Sequence, residues 1–444
     1  MTNRFKARRL PVHPGTAAWN AILAPQAPPT ILRETVYADV AIIGAGFAGL
    51  SAARRLHQLQ SDLNLVVLEA CRIAEGPAGR NSGFMIDLPH DLSSDSYAGT
   101  GMSKDKAETE LNRKAIGFAQ TLSDELELSS TVFDRSGKIN AAATPEGDQH
   151  NREYSAHLLK MGEPFEMLDA RQMSEISGIS HYISGLYTPG TALLQPAAYI
   201  RAIAASVAQT AAIYEQSPVV TMSRHQGKWK LETSEGMVVC EKIILAVNGH
   251  VESFGFFRKR LLHVFTYASM TEPLADEVLG GRPSWGVTPA DPMGTTVRRI
   301  DGEGGNRIII RSRFTCNPDM TASDQAVQNA GVMHDVKFAQ RFPMLKGVKM
   351  EYRWGGHLCL SLNSVPAHGE VEEGVFSAAC QNGLGVAKGT LSGISAAELL
   401  LGHSSDITET MTAMPAPSRL PPKWITWLGA NTKLRWKEAR AGRE

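Results

Sequence analysis

Asp39-Val40-Ala41-Ile42-Ile43-Gly44-Ala45-Gly46-Phe47-Ala48-Gly49-Leu50-Ser51-Ala52-Ala53-Arg54-Arg55-Leu56 decides the fold. The β-branched run Val40–Ile43 stops abruptly at Gly44, which predicts a buried strand. Leu50–Leu56 is rich in helix formers. Between them lies Gly-x-Gly-x-x-Gly, and each glycine has a mechanical role. Gly44 makes the tight turn, Gly46 lets the backbone approach a pyrophosphate, and Gly49 lets the helix pack closely on the sheet. The free N–H groups and positive end of the helix, around Ala45, Phe47 and Ala48, suit a phosphate anion. A second strand, Leu63–Leu68, closes on Glu69, twenty residues past Gly49, where a carboxylate can accept hydrogen bonds from a ribose. Strand, glycine turn, helix, strand and acid in this order predict a dinucleotide site. The motif alone does not choose between FAD and NAD.

Composition sets the frame around this motif. The chain has 444 residues, enough for two or three domains at ~150 residues each. Lys plus Arg equals Asp plus Glu at 45, so no electrostatic footprint for nucleic acid is present. Apolar residues at 43% and charged residues at 20% exclude global disorder. The five cysteines are odd in number and contain no Cys-x-x-Cys, which argues against a disulfide scaffold and a structural zinc site; no metal is expected. Val40–Ala53 is uncharged but too short to cross a bilayer. Pro11, His13 and Pro14 interrupt any signal-peptide core after Arg4, Lys6, Arg8 and Arg9. A soluble cytoplasmic protein is expected.

Residues 1–37 are Pro-rich and read as an extended arm lying on the domain. Ser103–Leu126, with Leu111, Ala115, Phe118, Leu122 and Leu126 on one stripe, predicts a helix. Pro145–Met161 and Pro196–Ala205 predict two more. Strands are expected near Val132–Phe133 and Ile139–Ala141, and at Ile213–Val220, Ile243–Val247, Phe265–Met270, Ile308–Arg311 and Val375–Ala379. A glycine loop then leads to a helix from about Lys388 to Leu401. In the tail, Trp424, Trp427, Leu428 and Asn431 fall at helical spacings, and Gly429 argues for a break.

Glu69-Ala70-Cys71-Arg72-Ile73 leads into Gly76-Pro77-Ala78-Gly79-Arg80-Asn81-Ser82-Gly83. Further on come Ala246-Val247-Asn248-Gly249-His250, Thr271-Glu272-Pro273-Leu274, Tyr352-Arg353-Trp354-Gly355-Gly356-His357, Ser361-Leu362-Asn363-Ser364-Val365-Pro366 and Cys380-Gln381-Asn382-Gly383-Leu384-Gly385-Val386. The ordered set, from about Asp39 to Gly402, resembles the FAD-dependent oxidoreductases of the D-amino-acid oxidase and sarcosine oxidase superfamily. Its nearest likeness is to the bacterial gamma-glutamylputrescine oxidase branch. The resemblance implies an α/β fold: a Rossmann-type, glutathione-reductase-like FAD domain with an inserted α+β substrate domain on an antiparallel sheet. The expected partition is 1–37 arm; 38–91, 166–254 and 346–403 FAD domain; 92–165 and 255–345 substrate domain; 404–444 tail. It implies FAD contacts at Gly44, Ala45, Gly46, Phe47, Ala48, Gly49, Glu69, Ala70, Arg72, Ala78, Gly79, Arg80, Asn81, Ser82, Gly83, Val219, Ala246, Asn248, Gly383, Leu384, Gly385, Val386 and Lys388. The last helix N-terminus would put positive potential near the pyrimidine end of the flavin, with Lys388 adding to it.

The chain departs from the family at one place. Amino-acid-specific members carry an arginine before the Ser361 position, whereas here His357-Leu358-Cys359-Leu360 precedes it. An arginine fork suits a carboxylate, so its loss favours an amine, or a substrate whose acid is held elsewhere; Arg298, Arg299, Arg311 and Arg313 are candidates to replace it. A covalent flavin cysteine would align with Leu358, and one residue of shift turns a strand side chain to the other face. Non-covalent FAD and an inert, buried Cys359 are therefore expected. His263, Tyr267 and His357 are the catalytic candidates; His90 and His368 read as structural. The implied activity is oxidation of the C–N bond of an amine or amino-acid-like substrate, with oxygen or an electron carrier as acceptor. Alternatives are a D-amino, imino-acid or taurine-type dehydrogenase, and a non-catalytic flavoprotein or electron-transfer subunit. The basic, Trp-rich tail is expected to serve contact with another subunit or partner.

Overall fold

A computed structural model describes residues 4–89, 101–275 and 277–444; His90 lies outside the described residues. The apolar run beginning at Val40 is the centre of a strand, Thr35–Ile43, whose Val40–Ile43 are buried. It pairs in parallel with Leu65–Leu68 on one side and Met237–Leu245 on the other. Ala211–Tyr214 extends the parallel set beyond Leu65–Leu68, and Val375–Ala379 pairs in parallel with Ile243–Leu245. Strands buried on both faces need continuous apolar runs rather than alternation, and Val40–Ile43, Leu65–Leu68 and Ile243–Leu245 supply them. An antiparallel hairpin, Thr221–His225 with Lys228–Glu232, widens this sheet, and Ala367–Glu372 pairs with Val375–Ala379. The helices Phe47–Leu59 and Gly385–Leu401 pack together beside it. Their close approach rests on Gly393, where a Cβ would lie 2.1 Å from the Ala48 carbonyl oxygen.

A second sheet has eight strands, in the order Met350–Leu360, Leu262–Thr271, Arg307–Cys316, Thr296–Ile300, Trp285–Pro289, Lys138–Ala142, Ser184–Thr188, Glu166–Asp169. Every pairing is antiparallel except Trp285–Pro289 with Lys138–Ala142. Two of its edges come from segments expected in the first domain. Glu166–Asp169 and Ser184–Thr188 continue the Lys138–Ala142 strand as a meander. Met350–Leu360 pairs along its length with Leu262–Thr271. Sheet membership is set by these long-range pairings, which local periodicity does not carry.

The arm is more than a covering. Arg4–Lys6 adds an antiparallel strand to the first sheet against Thr221–Ser223, and Trp19 is fully buried with its Nε1 donating to the Asn81 carbonyl at 2.8 Å. Several expected bounds shift. The last helix starts at Gly385 rather than Lys388. The Ile213–Val220 strand is Ala211–Tyr214, with Val219 in the loop that follows. The tail helix, Lys423–Ala441, runs unbroken through Gly429. A glycine costs a helix about 1 kcal/mol; here contacts on the C-terminal side offset it. Asn431 exchanges hydrogen bonds with the backbone of Cys316, and Glu438 accepts from Phe314 N and pairs with Arg313. Among the described residues no helix is long and apolar enough to cross a membrane.

Candidate active site

The glycine turn, the acid-bearing strand end and the last glycine loop open onto one cleft. Fifteen of the expected cofactor residues line it: Gly44, Ala45, Gly46, Phe47, Ala48, Glu69, Ala70, Arg72, Ala78, Asn81, Val219, Ala246, Asn248, Gly383 and Gly385. Gly44 has φ +103°, and a Cβ there would sit 2.6 Å from the Ala246 carbonyl oxygen. At Gly49 a Cβ would sit 1.8 Å from the Gly44 carbonyl oxygen, so that glycine serves packing rather than ligand contact. Gly46 differs: a Cβ would meet only the Ala78 Cβ, at 3.5 Å, and one at Gly385 would meet nothing within 4 Å. These two glycines border open space.

The helices Phe47–Leu59 and Gly385–Leu401 both begin at this cleft without a side-chain cap and without an acid in the first turn. Their leading N–H groups are therefore left for an anion. Glu69 accepts from Ala45 N at 2.8 Å and from Cys71 N at 3.0 Å. Burial pushes its carboxyl up, against the N–H groups that favour its charged form. Asn248 Oδ1 and His250 Nδ1 are buried and lack a protein partner. Two open glycines, two uncapped helix ends and unmatched polar atoms in one cleft fit the phosphates and the polar edge of an adenine dinucleotide.

The remaining expected cofactor residues support the cleft from behind. Arg80 donates to the carbonyls of Pro14, Gly15, Glu75 and Gly355, and its own carbonyl accepts from Trp354 Nε1 at 3.0 Å. It ties the arm, the loop and the second sheet together. Ser82 and Gly83 present their carbonyls to Arg298, and Gly79 packs on Ala74. Leu384 and Val386 are buried at the helix start, and Lys388 pairs with Glu108 at 2.8 Å.

None of the four candidate arginines is left for a substrate acid. Arg298 is buried and donates to Gly83 O and Leu194 O, at 3.1 and 2.7 Å. Arg299 binds Asn306 and the carbonyls of Gly280 and Arg282. Arg313 pairs with Glu438, and Arg311 lies over the Phe314 ring. Arg298 and Arg299 are thus interior scaffolding rather than ligands of a substrate acid; their strand is buried on both faces.

Of the catalytic candidates, only His357 lines the cleft. It stacks on Phe265, with centroids 5.1 Å apart. His263 stands behind it, Nδ1 to His357 Nε2 at 3.2 Å. Tyr267 packs with Phe265, Val327 and Ala330 and shares a hydrogen bond with Thr315 at 2.8 Å. Cys359 is buried at the cleft wall beside Cys380, and burial raises its thiol well above the ordinary range. His368 binds Ser395 at 2.9 Å, a structural role. The five cysteines are free thiols.

The sequence reading missed the arm's part in this site. Arg9, Leu10, Pro11 and His13 form one wall, with His250, Phe254 and Gln381 beside them. Burial first, then Arg80 and His250, push His13 down to about 3; burial and His263 push His250 down to about 4. No local pattern marks the arm residues. Their only signal is that His13, His250, His263 and His357, far apart in sequence, meet in space.

A parallel sheet with a glycine turn, a strand-end acid and two uncapped helix ends at one cleft is the arrangement of a dinucleotide-binding domain. The chain belongs to the FAD-dependent oxidoreductase family of D-amino-acid oxidase type, whose profile matches residues 39–399; it is an FAD-dependent oxidoreductase. It is 29% identical over 394 residues to a probable oxidoreductase OrdL of Haemophilus influenzae, covering 86% of this chain and 87% of the relative. It is 26% identical to the gamma-glutamylputrescine oxidoreductase of Escherichia coli, covering 85% and 87%. Among solved structures, glycine oxidase from Geobacillus kaustophilus superposes with a TM-score of 0.67 at 19% identity, over 84% of this chain and 96% of that one.

Proposed function

We propose that the protein oxidises the C–N bond of an amine, or of an amino-acid-like substrate whose acid is not held by an arginine fork. The observation that carries this reading is that Arg298, Arg299, Arg311 and Arg313 are all engaged within the protein while His357 faces the cleft. The relative's name, gamma-glutamylputrescine oxidoreductase, supports an amine substrate.

Bound FAD would supply a hydride acceptor at N5 for the carbon next to nitrogen. The chain's own residues would do the rest. The Phe47 and Ala48 N–H groups at the uncapped helix start would hold the pyrophosphate, and Glu69, steadied by Ala45 N, the ribose. The Gly385 helix end would favour negative charge near the pyrimidine ring. The arm and the buried wall around His357 would exclude water and keep the substrate amine neutral. The product imine would hydrolyse to an aldehyde or keto compound plus ammonia or an amine, and the electrons would pass to oxygen or a carrier. The reading extends to a glutathione-reductase-like FAD domain with the eight-stranded sheet as substrate domain. It also assigns the exposed Trp424, Trp427 and Trp436 of the tail helix to contact with another subunit.

An anaerobic panel of amines and amino acids, read as flavin bleaching, tests the function. Fast bleaching by an amine is expected; a panel that leaves the flavin oxidised would refute it.

A further inference from the structure

A chain of three side chains runs from the cleft to a separate chamber. His357 lines the cleft. His263 and Glu252 line the chamber, whose volume is about 910 Å³ and whose walls come from the arm, the 252–263 segment, residues 316–320 and the start of the tail helix. His357 Nε2 and His263 Nδ1 are 3.2 Å apart, and His263 Nε2 lies 3.0 Å from Glu252 Oε2. Both rings are buried, while Glu252 is partly open to solvent.

The hydrogen bonds fix the tautomers. An ionised carboxylate only accepts, so His263 donates to Glu252 through Nε2–H. Neutral His263 then has a bare Nδ1, which accepts from His357 Nε2–H. That leaves His357 Nδ1 unprotonated, on a ring that lines the cleft. Gly249 makes room for the pair: a Cβ there would sit 2.8 Å from His263 Nδ1 and 2.9 Å from His357 Cε1.

We propose that His357, His263 and Glu252 form a proton path that carries the substrate's ammonium proton out of the cleft into the chamber. The inference rests on the amine reading above. The substrate N–H bond breaks and its proton bonds to His357 Nδ1. The Nε2 proton of His357 passes to His263 Nδ1, and the Nε2 proton of His263 passes to Glu252 Oε2 and on to water. No electron moves in these steps. The substrate nitrogen keeps the lone pair that hydride loss from the neighbouring carbon requires. His263 and Glu252 are positioning residues, since they act through His357.

The surrounding charges keep the proton from resting on His357. His13 and His250 face His357 from the arm and from the 248–252 turn, and Cys359 lines the same cleft. Burial, then His263, His250 and His13, hold His357 well below the ordinary imidazole range, so a proton it takes up is not retained. At the far end the chamber carries Arg8, Arg9, Arg258, Lys259, Arg260, Arg419 and Lys423 against Glu252 and Asp319. This positive field pushes a released proton to bulk solvent.

The test uses the FAD-loaded protein. In His263→Ala, flavin bleaching by the active amine should slow by at least about tenfold at neutral pH, with FAD content unchanged. Added imidazole, which the chamber can admit, should restore the rate in proportion to its neutral form. Glu252→Gln, which removes the terminal acceptor, should slow bleaching as well, with FAD content unchanged. A wild-type rate in His263→Ala, or a loss that imidazole does not restore, would overturn the path. Independently of activity, ¹⁵N resonances of the histidine rings should place the wild-type proton of His357 on Nε2, and Glu252→Gln should move the resonances of both rings. If only His263 responds, the path is refuted. A wild-type flavin that no amine bleaches refutes the function, and the ring spectra then decide on the hydrogen-bonded chain alone.

Discussion

Gly46 and Gly49 sit three residues apart, and substitution should separate ligand binding from folding. Gly46→Val adds a side chain into the open space beside Ala78, where the nearest atom to a Cβ is 3.5 Å away. The apoprotein should keep its stability within about 0.5 kcal/mol, as surface substitutions do. FAD affinity should fall at least about 100-fold, or about 2.8 kcal/mol at 1.4 kcal/mol per tenfold, because the valine occupies the place of the pyrophosphate. Gly49→Ala puts a Cβ 1.8 Å from the Gly44 carbonyl oxygen, which is turn backbone and cannot swing aside. Overpacking of this kind costs about 1–3 kcal/mol, and this contact belongs at the upper end. Alanine's helix preference returns about 1 kcal/mol, leaving a net loss of about 1–2 kcal/mol. Urea unfolding of both apoproteins and fluorescence titration with FAD distinguish the two. A Gly46→Val protein with normal flavin content, or a Gly49→Ala protein of undiminished stability, would refute the reasoning.

Three further outcomes follow from the same structure. Arg298→Met should destabilise the fold by about 1–3 kcal/mol through loss of its buried hydrogen bond to the Leu194 carbonyl, measured by chemical denaturation; an unchanged midpoint would contradict its scaffolding role. His13 and His250 have folded values of about 3 and 4, below their ordinary 6.5. The unfolded chain therefore takes up more protons, and their stabilisation is present above pH 6.5 and lost as pH falls through about 4. His13→Gln should flatten the fall in thermal midpoint between pH 6.5 and 4, and an unaltered pH profile would count against it. Deleting 421–444 removes Glu444, which accepts from Ala143 N and Thr144 N, and Asn431, which caps Cys316. The truncated protein should melt several degrees lower, and should also lose mass in light scattering if the exposed tryptophans join subunits; an unshifted melting curve would show that these contacts are idle.

The strand, glycine turn, helix and acid-bearing second strand were legible because their physics is local. A glycine that must turn, a glycine that must stay bare and an acid that must end the next strand lie within about thirty residues, and chain geometry brings them together wherever that unit folds. Helix Pro145–Met161 and strand Val375–Ala379 were legible for the same reason, since Pro at a first turn and a short apolar run are signals read within one element. What needed the tertiary structure was contact between distant segments. The arm's role as a cleft wall depends on Arg80 reaching the carbonyls of Pro14 and Gly15, some 65 residues away. Glu166–Asp169 and Met350–Leu360 joined the second sheet through pairing partners that no periodicity names. The tail helix survived Gly429 because Cys316 and Phe314 hold it from outside. The resemblance singled out His263 and His357 but not their meeting with His13 and His250: an imidazole's role depends on what its two nitrogens face, and only the folded chain sets that.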